Sequence, residues 1–161
     1  MEPDTSAPAE LTPKQQVFIE KFAQHYERVY GIPRIGGRIW GLLLISEQPR
    51  TIDELCAALH ASHGSVSTNL RLLLMLGLVQ KFTRAGQRRD TYRFSTHAWD
   101  ETLHKRLESI QALGHMAQQA VDDLQPEGVV RQRFDEMLTW IEMATEKYHQ
   151  LLQEWGKREK P

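Results

Sequence analysis

From residue 103 onward the apolar residues fall into two runs with one rhythm. Leu103, Leu107, Ile110, Gly114, Ala117, Val121 and Leu124 are spaced by four and three in alternation, and Phe134, Leu138, Ile141, Thr145, Tyr148, Leu152 and Trp155 repeat the pattern. Such spacing averages about 3.5 residues, the period of helices that share a packing seam. Gln125-Pro126-Glu127-Gly128 separates the runs, so residues 96–161 are expected to form an antiparallel helical hairpin. A seam of this kind needs a partner helix. The neighbouring arm can supply one and a second subunit another, and the spacing does not choose between them.

The preceding residues are organised differently. Residues 1–12, acidic and rich in Pro and Ala, read as a flexible tail. Thr12 is placed to cap a first helix with Pro13 in its opening turn. Val17, Phe18, Phe22, Tyr26 and Val29 keep helical spacing until Gly31 and Pro33. A second helix is expected from about Arg34 to Ser46. It contains Gly36, Gly37 and Gly41, which cost helix stability unless another backbone packs close. Thr51-Ile52-Asp53-Glu54 has the capping-box form and opens a third helix with an apolar stripe of Ile52, Leu55, Cys56 and Leu59. Ala61 to Gly64 read as a turn, a fourth helix runs from about Ser65 to Leu76, and Gly77 is suited to a left-handed cap. Leu78–Phe82 and Thr91–Phe94 are β-prone on either side of Arg84-Ala85-Gly86-Gln87, which predicts a hairpin.

Helix, short turn, helix, hairpin is the order of a winged helix-turn-helix. The expected fold is therefore mainly α. A winged helix-turn-helix with a small β-hairpin wing occupies residues 13–95, and a long C-terminal helical dimerisation hairpin occupies residues 96–161.

Charge distribution sharpens this expectation. The 161-residue chain carries 20 Lys and Arg against 21 Asp and Glu, so it is not a uniformly basic nucleic-acid coat. Residues 34–95, however, hold nine basic residues and four acidic ones. Five of the nine (Lys81, Arg84, Arg88, Arg89 and Arg93) lie in or beside the predicted hairpin, the footprint of a polyanion-binding element. On the fourth helix, Ser65, Ser67, Thr68, Asn69 and Arg71 are the candidate DNA-reading residues. Small hydroxyls and amides fit base edges, and arginine can fork onto guanine. Ser, Thr and Asn also favour helix starts for capping alone. Arg84, Arg88 and Arg89 are the candidate wing contacts to phosphate or minor groove, although edge charges also blunt solvated hairpins.

The stretch Gly31 to Ser46 (Gly-Ile-Pro-Arg-Ile-Gly-Gly-Arg-Ile-Trp-Gly-Leu-Leu-Leu-Ile-Ser) resembles the second helix of GbsR-type regulators in the broader MarR group. Thr51-Ile-Asp-Glu-Leu, Ser65-Val-Ser-Thr-Asn-Leu-Arg-Leu-Leu, Gly77-Leu-Val and Gly86-Gln-Arg-Arg continue the resemblance. It covers residues 12–95 in motif detail. It implies a dimeric, often repressing, ligand-responsive transcription regulator that binds double-stranded DNA, with choline-like effectors among those of the group, and a two-fold dimer would favour a pseudo-palindromic operator. The alternative from another class is a protein-interaction adaptor built on the same elements, using exposed apolar residues such as Leu72 and Met75.

Other sites weigh less. Tyr26, Tyr30, Trp40, Trp99 and Trp140 fall in segments expected to meet, and as effector-binding residues they would suit a quaternary ammonium through cation–π attraction. Ordinary aromatic core packing is the competing reading. Seven histidines include no recognised metal-ligand spacing, and neither a catalytic nor a cofactor pattern is visible. One cysteine allows no internal disulfide, and the apolar run Ile39–Ile45 is too short for a bilayer. A cytoplasmic protein without a membrane partner is expected.

Overall fold

The computed structural model describes residues 11–83 and 89–158. In chain order the elements are α1 (Pro13–Tyr30), α2 (Arg34–Leu44), β1 (Arg50–Thr51), α3 (Ile52–Leu59), α4 (His63–Met75), β2 (Val79–Thr83), β3 (Asp90–Phe94), α5 (Ala98–Leu124) and α6 (Gly128–Gly156). They fall into two compact units that divide between Ala98 and Trp99.

In the first unit, local chemistry sets the helix ends. Thr12 Oγ1 accepts from the Gln15 amide while Gln15 Oε1 takes the Thr12 amide, which closes a capping box at the start of α1. Thr51 and Glu54 do the same for α3. α1 ends on Gly31 with φ 69°, a left-handed cap that glycine adopts without steric cost. The strands form one antiparallel sheet in the order β1-β3-β2, with Val79 opposite Phe94 and Thr83 opposite Asp90. β1, only two residues long, is the strand that sequence patterning did not anticipate.

The core of this unit is built around α2. Ile39, Trp40, Leu42 and Leu43 are almost wholly buried, together with Ile19 of α1, Leu55 and Leu59 of α3, Val66, Leu70 and Leu73 of α4, and Val79 of β2. The α2 glycines make the approach possible. A Cβ on Gly37 would stand 2.7 Å from Ala23 Cα, and one on Gly41 would stand 3.2 Å from Phe22 Cδ1. Their helix cost is offset by close helix–helix contact, which at Gly37 leaves no room for a Cβ and at Gly41 would require the Phe22 ring to give by a few tenths of an ångström.

The second unit is the helical hairpin. Leu107, Ala117, Val121 and Ile141 are buried between α5 and α6, and a Cβ on Gly114 would come within 3.1 Å of Ile141 Cγ2. Of the two seams read from the sequence, every residue is buried or half-buried except Leu124 at 69% exposure. Leu124 sits at the turn, where Gln125 and Gly128 take positive φ, so no opposing helix covers it. No helix among the described residues is long and apolar enough to cross a membrane.

The glycine contacts can be tested by substitution. Gly37→Ala should cost roughly 1–3 kcal/mol through overpacking against the α1 backbone, outweighing the gain of about 1 kcal/mol from alanine's helix propensity. At Gly64 a Cβ meets nothing within 4 Å, so Gly64→Ala should be neutral or stabilising. Urea denaturation of the two variants measures both.

Candidate nucleic-acid interface

α4 begins earlier than its sequence pattern suggests. Ser62 is the N-cap and its Oγ accepts from the Ser65 amide at 3.3 Å, so His63 and Gly64 belong to the helix. The reversal between α3 and α4 is carried instead by His60, which caps α3 in the left-handed conformation with φ 49°. Asn, Asp and His tolerate that region better than most residues.

With Val66, Asn69, Leu70 and Leu73 turned into the core, the exposed stripe of α4 is Gly64, Thr68, Arg71 and Met75. These positions share one helix face. Ser65 and Ser67 flank it, half-buried. Thr68 and Arg71 are thus placed on the solvent face, and Arg71 makes no ion pair among the described residues. Asn69 departs from the expectation. It is only 9% exposed, its Nδ2 donates to Ser65 O at 2.9 Å, and its Oδ1 faces Gly36. A buried amide cannot reach a base edge, and Asn69 is removed from the set of solvent-facing contacts. The spacing Val66, Asn69, Leu70, Leu73 was the available signal, since it is the core periodicity of a helix. Met75 is 74% exposed and Leu72 half-buried, so the C-terminal part of this face is apolar.

The wing differs between its stem and its base. Arg84 and Arg88 lie outside the described residues. In the stem, Lys81 Nζ pairs with Asp90 Oδ2 at 2.7 Å, and Thr83 Oγ1 donates to Asp90 Oδ1 at 2.7 Å. The Lys81 bond, seconded by Thr83, holds the Asp90 carboxyl below its usual value, and Asp90 in turn raises Lys81. Arg93 donates twice to Gln80 Oε1, at 3.1 and 3.2 Å, with its guanidinium carbon 4.0 Å from the centre of the Phe82 ring. Arg89 is 76% exposed and only loosely matched to Asp53, at 3.4 Å.

Away from the wing, Arg34 bonds Glu20 and Glu27 of α1, and Arg38 Nε lies 2.6 Å from Glu20 Oε1. Two cations counted in the basic middle are therefore matched by acids from outside it. The local excess of positive charge is smaller than the sequence tally, and Arg71 is a solvent-facing cation with no acid partner among the described residues.

The aromatic residues separate by unit. Tyr26 stacks on Tyr30 with centroids 5.0 Å apart and meets Trp40 edge-on at 4.5 Å, while Trp40 lies parallel to Phe94 at 6.1 Å. Trp40 is fully buried, which leaves no ring face open to a cation, and burial raises the Tyr26 hydroxyl pKa, with Tyr30 adding to the effect. Trp99 and Trp140 belong to the other unit, with Trp140 59% exposed. Trp40 thus serves as core, packed against Phe22, Tyr26 and Phe94. Cys56 is half-buried beside that core, and burial pushes its thiol pKa up, with Asp53 contributing.

Comparison with known proteins fits this arrangement. The chain is 30% identical over 130 residues to the HTH-type transcriptional regulator MmpR5 of Mycobacterium tuberculosis, 78% of each chain. It belongs to the HTH-type transcriptional regulators. The family description "Bacterial regulatory protein, arsR family" matches residues 42–81 of the regulator, the segment from the end of α2 through α3 and α4 into β2. A crystal structure of a transcriptional regulator superimposes with a TM-score of 0.74 at 26% identity, covering 91% of this chain and all of the other. Over 78 residues, 48% of this chain and 42% of the other, it is 28% identical to the HTH-type transcriptional repressor OpcR of Bacillus subtilis. The regulator is accordingly a DNA-binding protein of the winged-helix kind.

The wing stem has a pH signature. Because the folded pKa of Asp90 is depressed, its contribution is present above the unfolded pKa and lost as pH falls through the lower, folded one. In an NMR titration Asp90 should protonate below free aspartate, and Lys81→Ala should return it toward the ordinary value.

Proposed function

We propose that the regulator acts as a homodimeric repressor that occupies a pseudo-palindromic operator, with α4 in the major groove and the β2–β3 wing beside it. The observation that carries this reading is the α4 stripe. Thr68 and Arg71 face solvent, flanked by Ser65 and Ser67, while Arg34, Arg38 and Lys81 are engaged with acids. Base readout is assigned to Ser65, Ser67, Thr68 and Arg71, and phosphate or minor-groove contact to Arg84, Arg88 and Arg89.

Dimerisation is supported by the second unit. Besides its buried seam, α6 exposes Val129, Trp140, Met143 and Leu151, which lie along a second stripe about a third of a turn away. A solitary hairpin would leave that apolar surface in water. A two-fold dimer sets its reading helices about 34 Å apart, one turn of DNA, and so favours an inverted repeat. Repression is supported by the likeness to OpcR, itself named a repressor. The stretches that resemble GbsR-type regulators fall on α2, α3, α4 and the hairpin, which supports that subtype.

Selection of bound duplexes from a random pool at physiological salt tests the reading, and an inverted repeat with half-sites one helical turn apart is the expected product. On that duplex Arg71→Ala should cost roughly 1–3 kcal/mol and relax the preference at one base pair in each half-site. An unenriched pool would favour the adaptor reading instead.

A further inference from the structure

Asn69 is chemically out of place where it sits. It occupies a core position of α4 between Val66, Leu70 and Leu73, yet it carries an amide. Its Nδ2 is used, donating to Ser65 O one turn back. Its Oδ1 is buried with no hydrogen-bond partner among the described residues. A buried acceptor without a donor costs stability, and an apolar side chain would avoid that cost. Polar core residues of this kind can be kept because they specify one arrangement over its neighbours.

The opposite wall shows which arrangement is specified. Oδ1 rests against α2 at Gly36, where a Cβ would come within 2.9 Å of it. The same position would lie 3.1 Å from Ile32 Cγ2, so the seat is closed on a second side. The amide is therefore hydrogen-bonded at its nitrogen and closely packed at its oxygen. The Ser65 carbonyl fixes its plane relative to the α4 backbone, and the bare Cα of Gly36 fixes its oxygen relative to α2. A long apolar side chain has no such directional tie and can settle by changing rotamer.

We infer that Asn69 is a positioning residue. Its amide, seated on Gly36, sets the rotation of α4 about its own axis and thereby decides how Thr68 and Arg71 meet the base edges. This rests on the reading that α4 enters the DNA groove. Base contacts demand that rotation within a narrow range, whereas phosphate contacts tolerate small errors. Loss of the seat should therefore reduce sequence discrimination more than overall affinity for DNA.

The test compares the duplex selected by the intact protein with a scrambled duplex of equal composition, alongside thermal unfolding. Asn69→Ala should keep the melting temperature near that of the parent and leave scrambled-duplex affinity unchanged. It should lower affinity for the selected duplex by roughly tenfold. Gly36→Ala should reproduce that loss by displacing the amide. The double variant should discriminate no worse than Asn69→Ala alone, because the two changes remove one contact. An unchanged discrimination ratio in Asn69→Ala, or losses that simply add in the double variant, would overturn the inference. If Gly36→Ala fails to fold, the ratio for Asn69→Ala decides alone. If the intact protein itself does not discriminate between the duplexes, the DNA-reading assignment of α4 falls, and the positioning role falls with it.

Discussion

The close approach of α1 to α2 at Gly37 is the contact on which the first unit depends. With Ala23 Cα only 2.7 Å from where a Cβ would stand, the two helices touch backbone to backbone over that turn. Such proximity lets Ile19, Phe22 and Tyr26 of α1 join the cluster that holds Trp40 and Leu43. The three glycines serve different neighbours, since Gly37 and Gly41 receive α1 while Gly36 receives α4. α2 thus works as a central rod whose notches locate the elements around it. α4 inherits its placement from that rod.

Electrostatics reinforce the same joint. Glu20 accepts from Arg34 and is ion-paired with Arg38, and Arg34 also reaches Glu27, so a cluster of two cations and two anions straddles α1 and α2. These side chains are a quarter to a half exposed, and screening keeps each pair modest in energy. Their larger effect is on the field. Each arginine tied to a glutamate contributes little to the potential at a distance, so Arg34 and Arg38 add little to what a polyanion would meet.

Much of this was legible in the sequence wherever a local rule governs. The Thr12 cap, the Thr51 capping box, the helix stop at Gly31, the left-handed Gly77, the hairpin strands and the two helical seams follow from residues within a few positions of one another. What was not legible depends on distant partners. The acids that cancel Arg34 and Arg38 sit on another helix, so counting charge along the chain overstated the basic patch. β1 pairs with β3 across some forty residues of intervening chain and is too short to show a pattern. The start of α4 was read two residues late because His63 and Gly64 resemble a turn, whereas His60 makes it. At Asn69 the amide chemistry suggested a surface role, and the helical period, which placed it in the core, was the better guide.

The core of the first unit does not end with its last strand. Ser95 is 3% exposed and its amide donates to Leu78 O, its own carbonyl takes the Ala98 amide, and Ala98 is completely buried within the same cluster as Trp40 and Val79. The opening residue of α5 is therefore the stopper of the compartment that α2 organises. A ribosome delivers the chain from its N-terminus, and domains generally fold in that order as they emerge. α4 and the β2–β3 hairpin can be complete in sequence before Ala98 appears, yet the core beneath them is sealed only when it does. Maturation of the DNA-binding unit is in this way tied to the first turn of the long helical arm, so that the two halves are made as parts of a single continuous act of synthesis.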